Sequence, residues 1–386
     1  MRNLMVGLAR SMLRMLGRDE RGAIGVLVAV LLGGGVLLGM GALAIDVGQL
    51  YQERAELQNG ADSGALGVAK SCVDGLSTCT LGGATSIALS YASLNASQLT
   101  GHSAGLSQQI CGRGIPGAPL CGPSNGAMTD CPSPPASGNY VDVHTSTLLP
   151  NNSTLLPPVF ARTLGFGGTN VKACAQAEWG SAIQADSLAF TISLCEWNQF
   201  TGGNPYGTEI AVVEHGNADT CTGPSGQQLA GGFGWLAGTN CTATLNFSNP
   251  PLVTGESKPG TSLPPGCAAA IQNDLNTVVF LPVFNGFTSG NKGGNNGTFN
   301  LIGLAAFYLN GWINMPSGLS DHYPPQYPSK KTAQAFCAAA ASGGSGKGSN
   351  ERCLFGYFTH GLVPVTNDVG PPGTNYFGAG AVRLSG

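Results

Sequence analysis

The stretch GAIGVLVAVLLGGGVLLGMGALAI, residues 22–45, runs for twenty-four residues without a charge, and its reading decides the architecture. As one helix at about 1.5 Å per residue it reaches roughly 36 Å, enough for a bilayer hydrocarbon core of about 30 Å. The flank before it carries Arg2, Arg10, Arg14, Arg18 and Arg21 against only Asp19 and Glu20. Such a basic excess holds the N-terminus in the cytoplasm and sends the remaining chain across. The alternative is a signal peptide cut at Ala42-Leu43-Ala44, although a signal's apolar region is usually about 7–15 residues. Against cleavage, Leu43, Val47, Leu50, Leu57, Ala61 and Val68 recur at helical intervals through the cut site, with Arg54 interrupting the stripe. The expectation is an uncleaved anchor: one long helix that leaves the membrane near Ile45 and continues to about Lys70.

The residues just past the apolar run form a pattern: Ala44-Ile45-Asp46-Val47-Gly48-Gln49-Leu50-Tyr51, then Arg54, Leu57-Gln58-Asn59, Asp62 and Ala65-Leu66. This pattern resembles the N-terminal domain of the TadE/TadG-like family of the tight-adherence (Flp) pilus-assembly machinery. The resemblance covers about residues 20–70 and implies a single-pass membrane protein with pilus-assembly membrane proteins or pilins as partners. It marks Asp46, Gly48, Tyr51, Arg54, Leu57, Gln58, Asn59 and Asp62 as motif and packing positions. Gly60, Gly64 and Gly67 stand where family members commonly carry alanine, so a weaker exit helix is expected. More distantly, Phe160 to Ala177 resembles the short helix and closing strand of the family's first module. The long region beyond is similar to that of actinobacterial members. The prepilin processing pattern is missing, because the fifth residue after Gly22 is Leu27 and not a glutamate. Also missing is the Asp-x-Ser-x-Ser metal-adhesion motif of larger family members.

Composition narrows the rest. With 60 glycines, 24 prolines and only 10% charged residues, turns and β-structure are favoured over helical bundles. The net charge of −3 divides into +3 over the first 21 residues and −6 beyond them, so no basic surface is available for nucleic acid. All twelve cysteines (Cys72, Cys79, Cys111, Cys121, Cys131, Cys174, Cys195, Cys221, Cys241, Cys267, Cys337 and Cys353) follow the apolar run. An even number confined to the oxidising side reads as a disulfide framework, with Cys72–Cys79 and Cys337–Cys353 as local closures. Zinc is the rival reading, but no Cys-x-x-Cys pair occurs. No metal or cofactor is expected.

The chain therefore divides into a cytoplasmic basic tail (1–21), a transmembrane helix (22–45), a Tad-like module with exit helix and Cys-rich loop (46–185) and a mainly-β extracytoplasmic module (186–386). The fold class is α+β: an exit helix packed on a small antiparallel sheet, then a disulfide-rich β module read as an antiparallel sandwich or barrel. Helices are expected near 84–99, 158–165 and 332–341, and strands at Tyr140–His144, Val171–Trp179, Leu188–Leu194, Ile210–Glu214 and Thr277–Phe284. Residues 2–18 place Met5, Leu8, Met12 and Met15 on one face and arginines on another, a pattern suited to anionic membrane lipid, with topogenic charge alone as the competing reading. Within the span, Gly25, Ala29 and Gly33, and again Gly35 and Gly39, are spaced by four, which lets a partner helix approach closely.

Catalytic patterns are scarce. The five histidines are scattered without His-Glu-x-x-His, and no Gly-x-Ser-x-Gly occurs. Ser345-Gly346-Lys347-Gly348 lacks the Ser or Thr of a phosphate loop. Glu196, Glu209 and Glu214 are candidates for paired carboxylates, with structural roles as the competing reading. The tryptophans with Tyr323 and Tyr327 either pack a core or form a glycan- or protein-binding surface, the Tyr323–Pro328 stretch reading as an exposed loop. The sequence points to a non-enzymatic, membrane-anchored component of pilus assembly or a related secretion system. A tethered surface-binding module is the alternative, and an anchored hydrolase the third. Oligomeric state is left open.

Overall fold

The computed structural model describes residues 20–96, 103–203, 207–213, 234–236, 240–247, 253–256, 263–289, 298–315, 319–341, 351–363 and 376–386. The basic segment 2–18, Cys221, Glu214, His102, His215 and the 345–348 loop lie outside them. The helices are α1 (Glu20–Gly33), α2 (Val36–Val73), α3 (Leu81–Asn95), α4 (Leu194–Thr201), α5 (Cys267–Asn273) and α6 (Lys330–Ala341). The strands begin with β1 (Ser103–Leu106), β2 (Cys111–Arg113), β3 (Asn139–Leu148), β4 (Leu155–Leu156), β5 (Thr169–Asn170) and β6 (Lys172–Ser181). They continue with β7 (Gln184–Leu188), β8 (Phe190–Ser193), β9 (Ile210–Val213), β10 (Gly234–Trp235), β11 (Thr242–Asn246) and β12 (Val253–Glu256). Last come β13 (Thr277–Ser289), β14 (Thr298–Ile313), β15 (Cys353–Thr359), β16 (Gly361–Leu362) and β17 (Ala379–Leu384).

The class is α+β, as expected, but the expected unbroken helix is corrected. The apolar run is divided at Gly34-Gly35 between α1 and α2, and Gly35 sits at φ 72° as the N-cap of α2. Three consecutive glycines allow this left-handed turn, which side chains with a Cβ resist. Among the described residues no helix is long and apolar enough to cross a membrane. From Val36 onward α2 is continuous for 38 residues, past the end of the apolar run and through the whole Tad-like motif.

The first sheet runs β1-β3-β6-β17-β16, with β2 also paired to β3. Alternation puts Val141, Val143, Ala175 and Ala177 on one face, where they bury with Ala61, Ala65 and Val68 of α2. The opposite face holds Asp142, His144, Cys174 and Gln176 beneath the 111–135 loop. Cys111–Cys121 and Cys131–Cys174 staple that loop. The sheet's fourth strand comes from the far end of the chain: β17 pairs antiparallel with β6, Gly380 opposite Ser181 and Leu384 opposite Ala177. Arg383 and Glu178, directly opposite in that register, form an ion pair at 2.9 Å.

Gly60 and Gly64, expected to weaken the helix, are contact points with α3. A Cβ at Gly60 would lie 3.0 Å from the Ala92 Cα, and one at Gly64 3.3 Å from the Ala88 Cα. Ala84, Ala88 and Ala92 are fully buried there, so two small-residue faces let antiparallel helices approach closely. Their hairpin is closed by Cys72–Cys79, and Thr80 caps α3 by accepting from the Gly83 amide at 3.3 Å.

The second sheet, β10-β8-β13-β14-β15-β9 with β12 on β14, is antiparallel except for the parallel pair β8/β13. Its main core gathers Trp197, Trp235, Trp312, Phe190, Phe284 and Phe307. On the opposite face α6 packs over Ala211, Val213, Ile313 and Phe355, and Cys337–Cys353 bonds it to β15. All four tryptophans are buried. Tyr327, read from sequence as part of an exposed loop, stacks on Phe336 at 4.8 Å and is half-buried. The reading of Leu188–Leu194 as one strand is also corrected: β7 and β8 are separate, and Leu194 starts α4. Ser193 and Glu196 form a reciprocal capping box at that start.

Candidate functional site

Motif residues Asp46, Arg54, Leu57 and Gln58 bond α2 to the 159–161 turn, the Cys-rich loop and the first sheet. Nearest the N-terminus of this bonded face, the Asp46 carboxylate accepts three consecutive amides: Val159 at 2.8 Å, Phe160 at 3.0 Å and Ala161 at 2.8 Å. These amides open a single 3-10 turn, Ala161–Leu164, whose first N–H groups lack intrahelical partners. Burial works to raise the Asp46 pKa, but the three amide bonds outweigh it and hold the carboxyl below its ordinary value.

Two turns further along, Glu53 is buried and accepts from the Thr147 hydroxyl at 2.7 Å. The Thr145 hydroxyl donates to the Leu57 carbonyl at 2.9 Å, and Leu57 itself is buried. Gln58 Nε2 donates to the Cys174 carbonyl at 3.0 Å and to Asp62 at 2.8 Å. Arg54, which breaks the apolar stripe, donates to the Met128 carbonyl at 2.6 Å and ties the Cys-rich loop to the helix. Thr145 and Thr147 point to α2 because they continue the Val141/Val143 face of β3. At the distal end the Val73 carbonyl accepts from the Tyr376 hydroxyl and from His360 Nδ1, the latter at 2.8 Å. The helix thus holds bonds from Asp46 to Val73, about 40 Å of axis.

Other candidates fall away from this face. Gly48, Tyr51 and Asn59 are exposed. Gly25, Ala29 and Gly33 lie exposed on α1, and Gly39 is exposed on α2. Gly35 is not on a helix face at all, since it forms the turn between α1 and α2. The bridges Cys72–Cys79, Cys111–Cys121, Cys131–Cys174, Cys241–Cys267 and Cys337–Cys353 are formed. Cys195 is disulfide-bonded as well. Two groups of metal-capable side chains occur, Cys131/His144/Cys174 and Cys111/Cys121/Asp142. In each the cysteines are bridged to one another, which leaves a single donor.

The carboxylate candidates are engaged in structure. Glu196 Oε2 accepts from the Ser193 amide at 3.0 Å and its hydroxyl at 2.9 Å. Glu209 accepts from Asn310 at 2.7 Å, and burial raises its pKa. The most displaced of the described acids is one the sequence reading passed over. Burial pushes the Asp142 carboxyl up to about 6, opposed by a 2.9 Å hydrogen bond from Gln176 and reinforced by the charge of Asp130. A carboxylate alternating with valines in a strand is the signal that could have found it.

Residues 22–71 match the Tad family model, described as Flp pilus-assembly TadE/G-like. This N-terminal region, from α1 through most of α2, is therefore TadE/G-like. No curated protein and no solved structure matches the chain.

Proposed function

We propose that the protein is a non-enzymatic, membrane-tethered structural component of Flp pilus assembly or a related secretion system. Residues 22–45 stay in the bilayer, the N-terminus is cytoplasmic, and the bulk of the chain is extracytoplasmic. In this reading α2 is a rod that carries the disulfide-stapled modules outward, and exposed Gly25, Ala29 and Gly33 receive a helix of a pilus-assembly membrane protein. The observation that carries it is the TadE/G-like match over the helix whose Asp46, Arg54, Leu57 and Gln58 are tied to the turn, loop and sheet of the first module. A helix so bonded transmits force or position between membrane and module without a hinge. Deleting the gene in a piliated host tests the role: the expected outcome is impaired pilus display or adherence, and full piliation would contradict it.

A further inference from the structure

The segment that Asp46 grips has a second property. Within eight residues it exposes Val159, Phe160, Leu164 and Phe166, the last two at 79% and 64%. Exposed Arg162 lies among them. Loops over a water-facing surface rarely concentrate large apolar side chains in this way. Three amide bonds to Asp46 set the elbow beside the point where α2 loses its apolar character, and Leu43, Ile45 and Val47 of α2 are exposed at the same level. An open groove of about 630 Å³ separates the two, lined by Gly39, Leu43, Ile45, Phe160, Thr163 and Leu164.

We infer that the 159–166 elbow is a second membrane contact, seated in the outer interfacial layer of the bilayer with lipid filling the groove between it and α2. The occupant follows from continuity: the elbow adjoins the apolar surface proposed to lie in lipid, and the polar side chains lining the groove, Asp46 and Thr163, are hydrogen-bonded to the elbow's own backbone. Phe160, Leu164 and Phe166 then bury at the headgroup/acyl boundary, as the Phe and Leu side chains of interfacial segments do. Arg162 reaches lipid phosphate while its stem stays in the apolar layer. Asp46 has a definite part in this arrangement: it satisfies three of the elbow's amides, so these backbone donors are paired where the turn lies against lipid. The tether then has two points of contact, which fixes the tilt and rotation of α2 as well as its depth.

This inference rests on the membrane-tether reading, and the test separates the two. The full chain carrying Phe166→Trp is reconstituted into phosphatidylcholine/phosphatidylglycerol vesicles, with and without lipid brominated near the headgroup end of the acyl chain. The buried native tryptophans provide a constant background. Flotation with vesicles reports the tether, and quenching of the added emission reports the elbow. The expected result is about twofold lower added emission with brominated lipid. A Leu76→Trp control, just past the far end of α2, stays unquenched. An Asp46→Ala change in the Phe166→Trp chain should reduce the quenching by freeing the elbow. Flotation with no more quenching at 166 than at 76 overturns the elbow's placement and leaves the tether standing, the outcome expected if a protein partner covers it. Failure to float removes both.

Discussion

Two alanine substitutions on the same helix should shift stability in opposite directions. Gly48 and Gly60 both lie within α2, and Gly→Ala at either gains about 1 kcal/mol of intrinsic helix preference. At Gly48 a new Cβ meets nothing within 4 Å, so the gain stands. At Gly60 the Cβ would lie 3.0 Å from the Ala92 Cα and 3.3 Å from the Ala92 carbonyl oxygen. These are backbone atoms of α3, which cannot rotate aside. The helix pair must separate by a few tenths of an ångström and loosen Ala61, Ala65, Ala84 and Ala88, all fully buried. Overpacking of this kind costs about 1–3 kcal/mol. The net expectation is stabilisation by about 0.5–1 kcal/mol for Gly48→Ala and destabilisation by about 1 kcal/mol for Gly60→Ala. That difference of about 2 kcal/mol corresponds to roughly 4–8 °C in Tm for a domain of this size. Near-UV circular dichroism melting of the detergent-solubilised full chain measures it. Equal upward shifts for both variants would refute the claim that Gly60 is a close contact point with α3.

Two further changes probe the module. Asp142 has a folded pKa near 6, above the ordinary 3.8, so the native state binds the extra proton between those values. Its contribution to stability is therefore fully present below about pH 4 and is lost as pH rises through 6. Two units correspond to at most about 3 kcal/mol, and partial solvent screening brings this to about 1–2 kcal/mol. Asp142→Asn keeps the acceptor for Gln176 and should raise urea resistance at pH 7.5 by that amount while leaving pH 4 unchanged; the same gain at both pH values would contradict this. Replacing Cys337 and Cys353 together by serine opens a bridge with a sequence separation of 16, at a cost of about 3 kcal/mol. Limited proteolysis should then cut first near α6, and an unchanged digestion pattern would count against its role as the clamp on the second sheet.

What the sequence disclosed depended on the range of the interactions. Helix α2 was legible because its apolar spacing is local and sustained, and the local disulfides at Cys72–Cys79 and Cys337–Cys353 because short loops close readily. Helix α4 was missed, although Ser193-x-x-Glu196 carries the capping signal, because the apolar run before it reads as one strand. The return of β17 to the first sheet was hidden, since pairing of Leu384 with Ala177 bridges some two hundred residues and leaves no local trace. Asp46 stood out through its motif, but its partners, the amides of Val159 to Ala161, are backbone groups with no side-chain signature. The break at Gly34-Gly35 was visible as a glycine triplet and was read as helix-packing spacing instead.

The account's centre is that residues 22–45 remain on the chain in lipid and continue into the bonded rod that ends at Val73. N-terminal mass spectrometry of the mature protein from washed membranes, with external protease added to intact cells, tests this most directly. The account predicts a chain that keeps residues 22–45 in the membrane pellet while the modules beyond α2 are digested from outside. A mature chain beginning at Ile45 and recovered from the culture medium would contradict it.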